Sequence, residues 1–231
     1  GGAGDVSING FSPAGTGILF ENGAGVSTTT GAIGLYGTGA DFGLDIADGA
    51  LDTDSGDITL EGTATAATAT AGVRVTGDGL VTNGGDITIT GTSAGGVGVQ
   101  LGDGSAFAIG SGGGSITIEG TGIDAGVLMQ GNQVTSGGGA VSITGTGATI
   151  GVSLEGSDID SAGGGIDIDG IASAAGGIGV SLYDAQLTGG AGADNLTGGA
   201  GIDTFVYASG STAITIGGSA QNGTIAGYDV I

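Results

Sequence analysis

A short pattern, G-x-[IV]-x-[IL]-x-G, recurs along this chain and sets the period on which any fold must be built. It appears as GDVSING (4–10), AIGLYG (32–37), GDITLEG (56–62), GDITITG (85–91), GSITIEG (114–120), AVSITG (140–145) and GIDIDG (165–170), with a late echo, AITIGG (213–218). The second apolar residues are Ile8, Leu35, Leu60, Ile89, Ile118, Ile143 and Ile168, separated by 27, 25, 29, 29, 25 and 25 residues. A second pattern runs in phase: GILFENG (17–23), GLDIADG (43–49), GVRVTGDG (72–79), GVGVQLGDG (96–104), GVLMQGN (126–132), GVSLEGS (151–157) and GVSLYDA (179–185). A weaker third element, LDT, LVT, VTS, IDS and LTG, starts at 51, 80, 134, 159 and 187.

Three short alternating strands per repeat, divided by Gly-, Ser-, Thr- and Asp-rich corners, predict an all-β chain coiled into a parallel β-solenoid. One repeat makes one coil, equivalent strands stack, and glycine serves corners that need positive φ. About seven coils of 25–29 residues are expected, forming a rod of roughly 35 Å at about 4.8 Å per rung. The rule for parallel crossovers makes the coil right-handed. The second pattern supplies inward pairs from Ile18/Phe20 and Leu44/Ile46 through to Val152/Leu154 and Val180/Leu182, none of them polar. An antiparallel sandwich is the rival, but its Asn-Gly hairpin signals (9–10, 22–23, 222–223) fall at no constant place in the repeat.

Composition narrows the function. Sixty glycines in 231 residues, without a Gly-X-Y period, are not collagen, and the many Val, Ile and Thr argue against disorder. There are 23 acidic residues against one basic residue, Arg74, for a net charge of −22. Such a chain repels nucleic acid and anionic lipid headgroups and attracts cations. It has no cysteine, so neither disulfides nor thiol chemistry are available. No apolar run reaches the length of a membrane span, so no membrane insertion is expected. No N-terminal signal is visible, and the first residues already read as the inside of a repeat, which predicts an excerpt or processed piece of something longer.

GDITITGTSAGGVGVQL, GSITIEGTGIDAGVLMQ and AVSITGTGATIGVSLEG resemble the repeats of large bacterial β-strand-repeat surface adhesins of the filamentous-haemagglutinin-like kind. The likeness covers residues 1–186 and implies a β-solenoid with a structural or adhesive role, extracellular or on the cell surface. From 187 to 231 the organisation changes. Two adjacent nine-residue units, GGAGADNLT (189–197) and GGAGIDTFV (198–206), resemble the calcium nonapeptide of repeats-in-toxin proteins. That resemblance implies a short β-roll, bound calcium and type I secretion. The candidate metal ligands are Gly189, Gly190, Ala191, Gly192 and Asp194 in the first unit, and Gly198, Gly199, Ala200, Gly201 and Asp203 in the second. Calcium takes six to eight oxygens; glycines let a loop turn its carbonyls inward, and each Asp adds a charged ligand. In that family a site forms between alternate units. Two units therefore leave each site short, with Asp229 in the closing GYDVI as a candidate extra ligand, or a neighbouring chain supplying the rest.

Other acidic groups read as solvated surface. Asp52, Asp54 and Asp57 imitate the start of an EF-hand loop, but Thr63 stands where that loop needs Glu. Asp158, Asp160, Asp167 and Asp169 fall at outward strand positions. Catalysis is not expected: the chain lacks His and Lys, and the outward row Leu19, Asp45, Arg74, Gln100, Leu128, Ser153, Ser181 offers no convergent set and no aromatic platform. Arg74 is expected to pair with a nearby acid. Two alternatives to a structural or adhesive rod remain: a polysaccharide-modifying β-helix enzyme and an ice-binding solenoid. Glu61, Glu119 and Asp169 interrupt the threonine column that ice binding would need. Neither end reads as a cap, so either head-to-tail self-association into a filament or matrix, or continuation into further sequence, is expected, with a cell-surface or glycan partner as a further one.

Overall fold

A computed structural model describes residues 2–188 except residue 106, together with the backbone of four further strands, Asp194–Thr197, Thr204–Val206, Ile214–Gly217 and Thr224–Ala226. The described residues are all-β, without a helix, and wind into a parallel β-solenoid of seven three-stranded coils. The first coil contributes Val6–Phe11, Ile18–Phe20 and Val26–Thr28, one strand to each of three parallel sheets. Every later coil lays its strands onto the same three sheets in the same order.

The period read from the sequence is the register of the first sheet. Ile8 pairs with Leu35, Leu35 with Leu60, Leu60 with Ile89, Ile89 with Ile118, Ile118 with Ile143 and Ile143 with Ile168. The second sheet stacks Ile18, Leu44, Val73, Val99, Val127, Val152 and Val180 in one inward column, with a parallel column from Phe20 to Leu182 beside it. From Leu35 and Leu44 onward nearly all of these side chains have no solvent exposure. Each rung covers the one before it, which buries aliphatics that a single coil would leave wet.

The third sheet is more complete than its sequence signal. Its inward column runs Val26, Leu51, Leu80, Ile109, Val134, Ile159, Leu187. Val26 and Ile109 carry no Leu-x-Thr pattern, and a longer corner after Leu101 displaces Ile109 along the chain, so the weak third element missed both. At the exit of this sheet lies a buried hydroxyl column, Thr28, Thr53, Thr82, Ser111, Ser136 and Ser161, all between 0 and 5% exposed. Each hydroxyl serves the corner it sits in. The Gly56 N–H donates to Thr53 Oγ1 at 3.1 Å, the Gly85 N–H to Thr82 Oγ1 at 3.0 Å, and the Ser111 and Ser136 hydroxyls donate to the Gly114 and Gly139 carbonyls at 2.5 Å. Corner backbone that would be orphaned in the interior is thereby satisfied.

Glycine does more than turn corners. Positive φ is found at corner glycines such as Gly102, Gly131 and Gly156. The glycine that closes the first pattern, however, lies within a strand. A Cβ on Gly91 would collide with the Gly98 carbonyl oxygen, and one on Gly120 with that of Gly126. The first and second sheets approach so closely there that backbone touches backbone, and no side chain fits between them.

Beyond Thr188 the first two sheets continue. Asp194–Thr197 pairs with Ile166–Ala172, placing Leu196 at the register of Ile168, and Ile214–Gly217 follows it. Thr204–Val206 and then Thr224–Ala226 extend the second sheet. The strand segments of the two nine-residue units thus take successive places on different sheets of the same coil.

Candidate functional site

Most of the expected metal ligands, Gly189, Gly190, Ala191, Gly192, Gly198, Gly199, Ala200, Gly201, Asp203 and Asp229, lie outside the described residues, as does the side chain of Asp194. Among the described residues no three acidic side chains converge on a point that could hold a metal. Asp52, Asp54 and Asp57 are exposed along one corner, where Asp54 Oδ1 accepts from Asn83 Nδ2 at 3.0 Å and Asp57 Oδ1 from the Asp86 N–H at 2.9 Å. These contacts link successive coils. Asp158, Asp160 and Asp167 are exposed on their strands and Asp169 is half-buried, all at outward positions.

Arg74 finds its acid one rung away on the second sheet. Asp45 and Arg74 are register neighbours. Arg74 Nε donates to Asp45 Oδ1 at 2.8 Å and Nη2 to Oδ2 at 2.6 Å, a bidentate pair. The guanidinium carbon sits 4.2 Å from the centroid of the Phe42 ring. The Asp45 side chain is only 5% exposed, against 29% for Arg74. Hydrogen bonding to Asp45 raises the Arg74 pKa against an opposing desolvation by burial. The pair is a structural clasp between coils two and three.

The outward face of the first sheet carries the column that Glu61, Glu119 and Asp169 interrupt, with further columns on both sides of it. Three side-chain columns run along it. The middle one is Asn9, Tyr36, Glu61, Thr90, Glu119, Thr144, Asp169. On one side stand Thr59, Thr88, Thr117 and Ser142, and on the other Thr38, Thr63, Thr92, Thr121 and Thr146 on five consecutive rungs. Neighbouring columns lie two positions apart in the sequence, with one inward residue between them, so the full array becomes visible only when the register of every coil is fixed. At its N-terminal end a cleft of about 300 Å³ opens between Asn9, Phe11, Tyr36, Thr38, Glu61 and Thr63. Phe11 is 76% exposed. The Tyr36 ring covers Gly34: a Cβ there would lie 2.8 Å from both Cε2 and Oη.

A second cleft, of about 340 Å³, lies on the third-sheet side between Asp78, Asn132, Gln133 and Asp158. Asn132 is 2% exposed at the register position of Phe107, and neither atom of its side-chain amide has a hydrogen-bond partner.

The described fold is that of a β-solenoid repeat protein, seven coils around one continuous core. Comparison with known protein families, with curated proteins and with solved structures returns no match.

Proposed function

We propose that this chain is a structural and adhesive rod of a bacterial cell surface or extracellular matrix, secreted and stabilised by calcium. The observation that carries this reading is the unbroken core: aliphatic columns on all three sheets run through seven coils. A continuous ladder gives length and stiffness, whereas its outward rows carry mixed polar residues suited to contact rather than to turnover. The charge of −22 keeps so much β-edge apart in solution and draws divalent cations.

In this reading the two glycine-rich units hold calcium through Asp194 and Asp203, helped by Asp229 or by a neighbouring chain. The ion closes the end of the rod or seals it to the next one, so that units add head to tail. The test is a pair of thermal melts of the full chain, in millimolar calcium and after chelation with EDTA, with electron microscopy of both samples. Calcium is expected to raise the melting temperature and to support filaments. Identical melts would remove calcium from the account, and only single particles in calcium would remove the filament.

A further inference from the structure

We propose that the outward face of the first sheet binds a neutral polysaccharide chain laid along the solenoid axis and anchored in the cleft beside Tyr36 and Phe11. The inference deepens the adhesive reading above and rests on it for its biological sense.

Sugar rings present an apolar C–H face and a rim of hydroxyls. A site for them needs flat aromatic surface next to polar groups that both donate and accept. The cleft offers both. Phe11 stands at an outward position of its strand and is 76% exposed. Tyr36 is laid over Gly34, the one residue type in that column that leaves room for the ring. Around them stand the Asn9 amide, the Glu61 carboxylate and the Thr38 and Thr63 hydroxyls. From the cleft the middle and flanking columns continue through Thr90 and Thr92, then Glu119 and Thr121. Successive rungs repeat every ~4.8 Å, so an extended chain meets an equivalent hydroxyl at each step.

Charge selects among glycans. The only basic side chain in the protein is Arg74, and it is held by Asp45 on another sheet. Uronic, sialylated or sulfated chains would meet Glu61, Glu119 and a net charge of −22 with no free basic side chain to receive them. A neutral chain donates its hydroxyl hydrogens to the same carboxylates at no such cost. Those carboxylates also set this face apart from an ice-like surface, which must be flat and uncharged. The second cleft does not compete, because its one ring, Phe107, is 3% exposed and faces the core.

The test is calorimetric titration of the full chain, in calcium, with the hexamers of four neutral glucans and mannans (β-1,4-, α-1,4- and β-1,3-linked glucose, β-1,4-linked mannose) and with polygalacturonate. At least one neutral hexamer is expected to bind and polygalacturonate is not. Tyr36→Ala and Glu61→Gln should each weaken binding by about tenfold, from the worth of one aromatic or charge-assisted contact. Both positions are at the surface, and an unchanged circular dichroism melt confirms the fold. The Gln133→Ala variant, at an exposed position of the third sheet, should bind as the parent does. Binding to none of the four hexamers at millimolar concentration overturns the proposal. So does binding that survives Tyr36→Ala, or inhibition of ice growth without saccharide binding. A rod that melts calcium-dependently and forms filaments yet fails here loses this site and keeps its structural role.

Discussion

At the scale of single residues, Arg74 shows how a highly acidic chain uses its one cation. The guanidinium neutralises Asp45, whose side chain is 5% exposed, and lies against Phe42. Burying a carboxylate is tolerable only while its partner stays. Arg74→Met is therefore expected to cost about 3–5 kcal/mol in denaturant unfolding, as for other uncompensated buried charges. The double variant Arg74→Met, Asp45→Leu should recover most of that loss, because a well-packed apolar pair often matches a buried ion pair. A double variant no better than the single would mean that Asp45 is not the source of the cost. This contact was legible before the fold was known. Asp45 and Arg74 occupy the same place in successive repeats, and stacking makes such places neighbours.

At the scale of elements, the legible and illegible parts divide by what sets them. Strand alternation and a fixed count between apolar residues specify the first two sheets, and every predicted pairing from Ile8 to Ile168 is found. The third sheet depends on corner lengths, which vary between coils, so Ile109 escaped notice. The lateral neighbours across the first sheet escaped for a similar reason: Thr63, Thr92 and Thr121 look like corner residues until the strands are seen to reach them. Glycine was legible in number but not in purpose, because composition cannot separate a glycine that turns from one that is pressed against another backbone. The two kinds respond differently to a methyl group. Gly91→Ala drives its Cβ into the Gly98 carbonyl and should destabilise by about 1–3 kcal/mol or more, the cost of overpacking. Gly84→Ala meets nothing within 4 Å at an ordinary φ and should be neutral or gain up to about 1 kcal/mol from a stiffer unfolded chain. Equal losses for both variants in parallel urea titrations would refute the close-approach explanation.

At the scale of the whole molecule, stability in a solenoid is a sum over coils and their interfaces. The chain can then be shortened by whole periods. Removing residues 116–140 joins Ser115 to Val141 and brings Val141 to the place of Ile116, its own register partner. The product is expected to keep the circular dichroism of a parallel β-solenoid and to unfold in one cooperative step at a somewhat lower midpoint. Removing residues 116–128 instead shifts every later strand off its column, and that chain should not fold. If both deletions behave alike, the coil is not the unit of stability.

The stacking of coils also fixes how such a rod responds to pulling. Its backbone hydrogen bonds join coil to coil, such as those around Ile89 and Ile118, and so run along the axis. A load applied between the ends strains them one interface at a time, as a zipper is opened, rather than all together in shear. Each coil that peels away releases 25 to 29 residues of slack, on the order of 100 Å of extended chain. A solenoid built this way is expected to give up its length coil by coil, in steps that single-molecule pulling would resolve as repeated extensions of one period each.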